Sequence, residues 1–400
     1  MYGSTPSMMC EIHTCITGIR FILIYRFYYH MFEFTSESVL PGHPDKLADQ
    51  ISDALVDSYL RKDPYSHLAI DVVVTHGEVF VFGEISTEGS VDVERIVRRV
   101  IRRVGYTSEE IGLDYRTCEV RTNLIEQSPD IRKGVGIRKI RAGDQGIIFG
   151  YAGRWTRELM PLPIMIAHGI ARYITGLRSK LSYLRPDGKV QVTVGFGSDG
   201  RPVGVNCVVL AVQHDDTVSV KEVREELRCR VSDYLDENWS FLSLDRTKWV
   251  INGTGRFVIG GPRADSGLTG KKTAVDTYGG WVGHGGGCLS GKDGTKVDRS
   301  ATYMTRYVAK NIVASGLAEE VVVQVAYAIG RSRPVSIDVN TNGTGIVPDE
   351  QILRLIKREY SFSPGDIIEL LDLRKPFYSK LSVFGQVGRN GYPWERVGDL

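Results

Sequence analysis

The chain is short of the features that mark several protein classes. Its 400 residues carry a formal charge of only +2, so no net field argues for nucleic acid or a membrane surface as partner. Six cysteines are scattered, with Cys10 and Cys15 the one near pair, and no C-x-x-C or Cys/His cluster has zinc-like spacing. They read as free thiols in a reducing compartment, so a cytoplasmic location is expected. The apolar and aromatic run Phe21–Tyr29 is interrupted by Arg26 and is too short to span a bilayer. No A-x-A-like cleavage motif follows it, which argues against a secretory signal. No Ser-His-Asp or Cys-His arrangement offers a covalent nucleophile. What is left is a globular composition, 42% hydrophobic and 24% charged, long enough for two or three domains.

Regular patterning begins at Met31, which is expected to be the functional start, with residues 1–30 an N-terminal extension or a start-site artefact outside the fold. The intact mass of the native protein decides this. Pro44–Leu60 reads as a helix: Pro44 suits its first position, and Leu47, Ile51 and Leu55 form its buried face. Asp45, Asp49, Asp53 and Asp57 recur every four residues on another face. The last three are expected to be solvated, whereas Asp45 sits at the helix entrance beside Gly42 and His43. Strands are expected at Leu68–Thr75 and Glu78–Ser86, joined through His76-Gly77, and an amphipathic helix with a solvated basic face at Val91–Val104. Residues 127–141 are polar, basic and without period, a candidate mobile loop. Further on, helix is expected at Pro161–Ser182 and Val218–Leu235, and strand at Lys189–Phe196 and Gly204–Gln213. Hairpin-like strands with intervening helices give an α+β class. Three weakly similar strand endings hint at three related units.

The densest chemistry lies in Gly279–Ser300, which holds eight glycines along with Lys292, Lys296, Asp293 and Asp298. Glycines let backbone amides approach a polyanion, and lysines neutralise it. Gly286–Lys292 matches the P-loop pattern G-x-x-x-x-G-K, but Asp293 stands where a P-loop needs Ser or Thr. A glycine-rich surface loop is the bland alternative. Thr295-x-x-Asp298 is a capping box for a helix whose apolar stripe is Val297, Ala301, Met304, Val308 and Ile312. Asp298 is therefore either a cap alone or a metal ligand as well.

Three segments, FTSESVLPGHPDKLADQISDA (Phe34–Ala54), RAGDQGIIFGYA (Arg141–Ala152) and GGGCLSGKDGTKVDRS (Gly285–Ser300), together resemble the signature segments of the S-adenosylmethionine synthetases. Asn252–Lys272 and Asp276–Gly280 extend the match, and similarity runs from Phe32 to about Glu395. The resemblance implies three similar α+β domains in a pseudo-threefold arrangement, expected at 32–128, 129–255 and 256–396, and a homodimer or homotetramer with active sites between subunits. It implies ATP and L-methionine as substrates, two Mg²⁺ per site and K⁺. Carried over by motif, His43 contacts the triphosphate near the bond that breaks; Asp45 and Asp298 are Mg²⁺ ligands; Asp71 is the K⁺ ligand. Asp187, Lys189, Lys271, Lys272, Cys288 and Lys292 match ATP-binding positions, with Lys271, Lys272 and Lys292 also catalytic. Arg256 and Phe257 match the adenosine pocket; Asp265 is shared by nucleoside and methionine; Glu84, Gln127 and Lys296 match methionine-binding positions.

Departures accompany the match. Lys271 replaces the usual arginine and loses its bidentate fork, and Asp71 replaces the usual glutamate. Cys288-Leu289 replaces Ala-Phe, Leu40-Pro41 replaces a polar or small pair, Gln386 replaces a histidine, and the candidate gating loop is a few residues short. Two rival readings follow: a non-catalytic nucleotide-binding paralogue, and an ATP phosphotransferase of P-loop type.

Overall fold

The computed structural model describes residues 31–126 and 140–398. The expected extension, Gln127 and nearly all of the candidate loop lie outside these residues.

The first third runs β1 (Phe32–Val39), α1 (Pro44–Leu60), β2 (His67–Thr75), β3 (Glu78–Ser86), α2 (Val93–Val104), the two-residue strands β4 (Thr107–Ser108) and β5 (Leu113–Asp114), and β6 (Glu119–Glu126). The middle third runs β7 (Gly146–Gly153), α3 (Leu162–Leu177), β8 (Leu184–Phe196), β9 (Pro202–His214), α4 (Val220–Asn238) and β10 (Lys248–Ile251). The last third runs β11 (Gly267–Leu268), α5 (Thr273–Asp276), α6 (Val297–Ala314), β12 (Glu320–Tyr327), β13 (Ser336–Asn340), α7 (Asp349–Glu359) and α8 (Pro364–Leu370). The α+β class holds. α1 has the expected bounds, α2 and α3 are trimmed at their ends, and α4 starts two residues later and runs three further than expected, while β8 and β9 reach further than the apolar alternation, because their pairing continues through the polar Arg185–Lys189 stretch.

Three sheets carry the fold, and each borrows an edge strand from another third of the chain. Their orders are β11-β2-β3-β6, β1-β8-β9-β10 and β13-β12-β7. The first third lends β1 to the middle sheet, the middle third lends β7 to the last, and the last third lends β11 to the first. All three borrowed strands pair antiparallel with their hosts. The exchange is cyclic, as a pseudo-threefold arrangement requires.

Two apolar cores result. One joins α1, α2, α6 and the first and last sheets; the other lies between the middle sheet and α3 and α4. α1 is central: His43 caps it, with Nδ1 accepting from the Asp45 amide at 3.2 Å, and all its residues but Ser58 are buried. The expectation of a solvated acidic stripe is therefore overturned. Asp49, Asp53 and Asp57 are at most 1% exposed. Each is held by polar partners from distant chain, without which burying a carboxylate is prohibitive. Asp57 accepts from the Tyr378 and Ser379 amides, and Asp53 forms a bidentate pair with Arg299. The basic face of α2 is only partly free, because Arg98 binds Glu94 and the Tyr115 and Cys118 carbonyls.

His168 on α3 is a buried titratable group with a measurable signature. Its Nδ1 lies 2.8 Å from Ser38 Oγ, and burial pushes the imidazole down to about 3. The unfolded chain then binds a proton below about pH 6.5 that the native chain refuses, so stability falls as pH drops from about 6.5 toward 3. His168→Gln is expected to flatten the slope of unfolding free energy against pH in that window, read by urea titration at several pH values. An unchanged slope would remove His168 as its source.

Candidate active site

The site residues fall into two clusters. The first forms where α1 begins. Pro44 and the cap place His43 4% exposed, with its Nδ1 engaged by the Asp45 amide, which leaves the proton on Nε2. Burial first, then the Lys272 ammonium, push this histidine down to about 3, so it is neutral at physiological pH. Asp45 accepts from the Leu268 amide at 3.1 Å and pairs with Lys272 Nζ at 2.7 Å; that lysine hydrogen bond and the amide outweigh burial and hold the carboxyl below its ordinary value. Lys189, exposed on β8, adds positive potential toward His43. Asp187, two residues before it, accepts from the Gly261 amide at 2.8 Å; burial raises its carboxyl to about 6, with Asp265 a lesser cause. Lys271, Arg256 and Asp265 are exposed around this cluster, while Phe257 is half-buried, its amide held by His214 Nε2 at 3.2 Å.

The second cluster is the glycine loop. Lys292 Nζ lies 2.6 Å from Asp298 Oδ2, and Lys292 bridges to Ala69 on β2, two residues from Asp71. Burial raises the Asp71 carboxyl, while Lys292 pulls it the other way. Burial likewise raises the half-buried Cys288 thiol, while Lys292 pulls it the other way. Two glycines here are steric necessities. A Cβ on Gly287 would lie 2.2 Å from Asp298 Oδ1, and Gly291, at φ +81°, would put one 2.0 Å from the Ile70 carbonyl. Glu84 on β3 sits opposite Ala69 and Asp71 on β2 opposite Phe82, so Glu84 and Asp71 share one face of the first sheet.

The capping-box reading is corrected. Lys296, not Thr295, is the N-cap of α6, and it makes no side-chain cap bond. Asp293 does the local tying: its carboxylate accepts from the Thr295 amide at 2.7 Å, the Leu68 amide at 2.7 Å and Lys296 Nζ at 3.2 Å. Asp298 is thereby free of a capping duty and carries Lys292. The residue that spoils the P-loop pattern is the one that folds this loop. Sequence reading missed the charged core beneath both clusters. Lys46, buried, bonds Asp276 and lies 2.8 Å from Asp49 Oδ2, an ion-pair contact outside good hydrogen-bond geometry. Burial above all lifts the Asp276 carboxyl to about 7. The four-residue spacing of the α1 aspartates was the available signal.

Among the described residues, no three His, Cys, Asp or Glu side chains converge as a metal cage. The donor set suits Mg²⁺ of a different kind, one bound through one or two carboxylates plus substrate phosphates. Asp45 and Asp298 each hold a lysine ammonium where such a cation would sit.

Among the described residues, no helix is long and apolar enough to cross a membrane. The N-terminal, central and C-terminal domain models of S-adenosylmethionine synthetase match residues 31–129, 139–257 and 259–396. The S-adenosylmethionine synthase of Thermus thermophilus is 49% identical over 384 residues, covering 91% of this chain and 95% of its own. That of Petrotoga mobilis is 48% identical over 387 residues, covering 91% and 96%. The order of the three domain matches, the near-complete overlap with these synthases and the two lysine–aspartate clusters agree, and the chain belongs to the S-adenosylmethionine synthetase family.

Proposed function

We propose that this methionine adenosyltransferase joins ATP to L-methionine by attack of the methionine sulfur on C5′. The sulfur lone pair forms the S–C5′ bond as the C5′–O bond breaks, and that electron pair leaves with the intact triphosphate. Water then cleaves the triphosphate to phosphate and diphosphate. The observation that carries this reading is the neutral His43 beside the Asp45–Lys272 pair. A polyanion that leaves whole needs donors aimed at its new charge and no covalent nucleophile. His43 Nε2–H donates to the leaving oxygen without itself adding a charge to desolvate. Lys272, Lys271, Lys189 and Lys292 neutralise phosphates, and Asp187, Arg256, Phe257, Asp265 and Cys288 complete the ATP pocket. Glu84, Gln127, Asp265 and Lys296 hold methionine. Mg²⁺ at Asp45 and Asp298, two ions per site, would supply charge neutralisation of the triphosphate, and K⁺ would sit beside Asp71.

The open face of the first sheet supports sites shared between two copies, in a dimer or tetramer. It carries the stacked pair Phe80 and Phe82, with ring centroids 5.2 Å apart, beside Val73, Asp71 and Glu84. Apolar surface adjoining charged site residues is what an interface that completes a site requires.

Incubation with ATP, methionine and Mg²⁺ is expected to give S-adenosylmethionine, phosphate and diphosphate with no ADP, read by mass spectrometry. ADP would revive the phosphotransferase, and nucleotide binding without turnover the silent paralogue. The same preparation is expected to scatter light at two or four chain masses; a fully active monomer would exclude shared sites.

A further inference from the structure

The acidic row of α1 meets the site loops amide by amide. Asp45 Oδ1 accepts from Leu268 N at 3.1 Å, Asp49 Oδ1 from Gly270 N at 2.9 Å, and Asp53 Oδ1 from Gly291 N at 2.9 Å. Gly270 immediately precedes Lys271–Lys272, and Gly291 immediately precedes Lys292. Successive aspartates stand one helical turn apart, about 6 Å along the axis. α1 thus acts as a ruler against which both lysine-bearing loops are set. The loops also touch where the ruler grips the first of them: Gly270 has φ +83°, and a Cβ there would lie 2.2 Å from Cys288 Cβ. Asp49 and Asp53 are fully buried, so these two act on the site through the backbone, whereas Asp45 also pairs with Lys272.

We propose that Asp49 is a positioning residue for the ATP half of the reaction, fixing the reach of Lys271 and Lys272 through the Gly270 amide. A carboxylate accepting from a main-chain N–H holds the backbone itself, so it sets where the next two side chains start. Misplacing a phosphate-binding group by about 1 Å costs on the order of 10²-fold in rate. Of the methionine positions, Glu84 and Lys296 hang from other anchors, and Asp265 is set apart from Gly270 by the paired strand β11 and tied through its amide to the Gly261 carbonyl, so the effect falls on ATP. Asp49 also faces Lys46, whose second partner is Asp276, and losing that pair affects folding stability. The two roles separate by substitution.

The inference rests on the proposed adenosyl transfer. If the unsubstituted protein makes no S-adenosylmethionine, that reading fails; if it does, the variants judge Asp49 alone. In steady-state assays of the full chain, Asp49→Ala is expected to raise the KM for ATP about tenfold or more. The KM for methionine should stay within twofold, and amide exchange at Gly270 should accelerate. A folded Asp49→Ala with unchanged ATP KM, or with both KM values shifted together, overturns the proposal. Asp49→Asn keeps an acceptor for Gly270 while giving up the ion pair. It is expected to melt at lower temperature yet keep its ATP KM within threefold, and this variant decides the matter if Asp49→Ala does not fold. A tenfold rise of the ATP KM in folded Asp49→Asn would mean that charge, not the amide anchor, is what counts, and would equally overturn it.

Discussion

Asp298→Asn is expected to lower Mg²⁺-dependent turnover by about 10²–10³-fold, the scale on which removal of one transition-state stabilising group acts. The fold should survive. Asp298 makes no helix cap, and its pair with Lys292 is partly open, with side chains about one-fifth exposed on each partner. Asparagine is the same size and keeps the clearance from Gly287, so the loop need not move. What it loses is a formal charge, and with it the proposed hold on a divalent cation. Turnover is measured across a Mg²⁺ titration, with near-ultraviolet circular dichroism as the check on folding. Retained activity at saturating Mg²⁺ would show that Asp298 serves only to hold Lys292, and the metal assignment would move elsewhere.

Asp53→Ala is the opposite case, with its largest effect on stability. Asp53 and Arg299 are both completely buried, and the carboxylate takes two guanidinium bonds at 2.8 Å, the Gly291 amide and the Ser382 hydroxyl. Removing it leaves a guanidinium without a counter-charge inside the protein. Breaking a buried pair in this way costs about 3–5 kcal/mol, a large share of an ordinary domain's stability. Arg299 retains the Lys292 carbonyl and Gln386 and stacks on Tyr378, its carbon 4.3 Å from the ring centre, so some of the loss is cushioned. The expected outcome is a clear drop in the urea midpoint. The double change Asp53→Ala, Arg299→Met should recover part of it, because no orphan charge remains. If Asp53→Ala unfolds at the same midpoint as the unsubstituted protein, the pair is not an anchor of the core.

These two residues also show how far the sequence could be read. The elements themselves were legible because their causes are local: Pro44 and an apolar stripe make α1, and alternation makes β2 and β3. The identity of the glycine loop was legible because its lysines and aspartates lie within one stretch. Asp53 was not, because a four-residue spacing says only that aspartates share a face of a helix. Whether that face meets water depends on Arg299, 246 positions later in the chain. Asp298 was half legible for the same reason. A Thr-x-x-Asp pattern fits a cap, and only the course of the loop shows that the helix starts after Lys296 with no side-chain cap, while Asp293 ties the loop. The borrowed strands were invisible too, since β1 and β8 look alike to any local pattern and their pairing joins residues some 158 apart.

The cyclic loan of edge strands has a consequence for how the molecule comes apart. A break in the connection after β6 or after β10 would leave every fragment missing a strand that it needs, and holding one that another fragment needs. Neither fragment could close all of its own sheets, yet the pair would interlock on mixing, each supplying the other's open edge by strand addition. The chain therefore behaves as a mutual-aid society of three, in which a nick is survivable and an amputation is not.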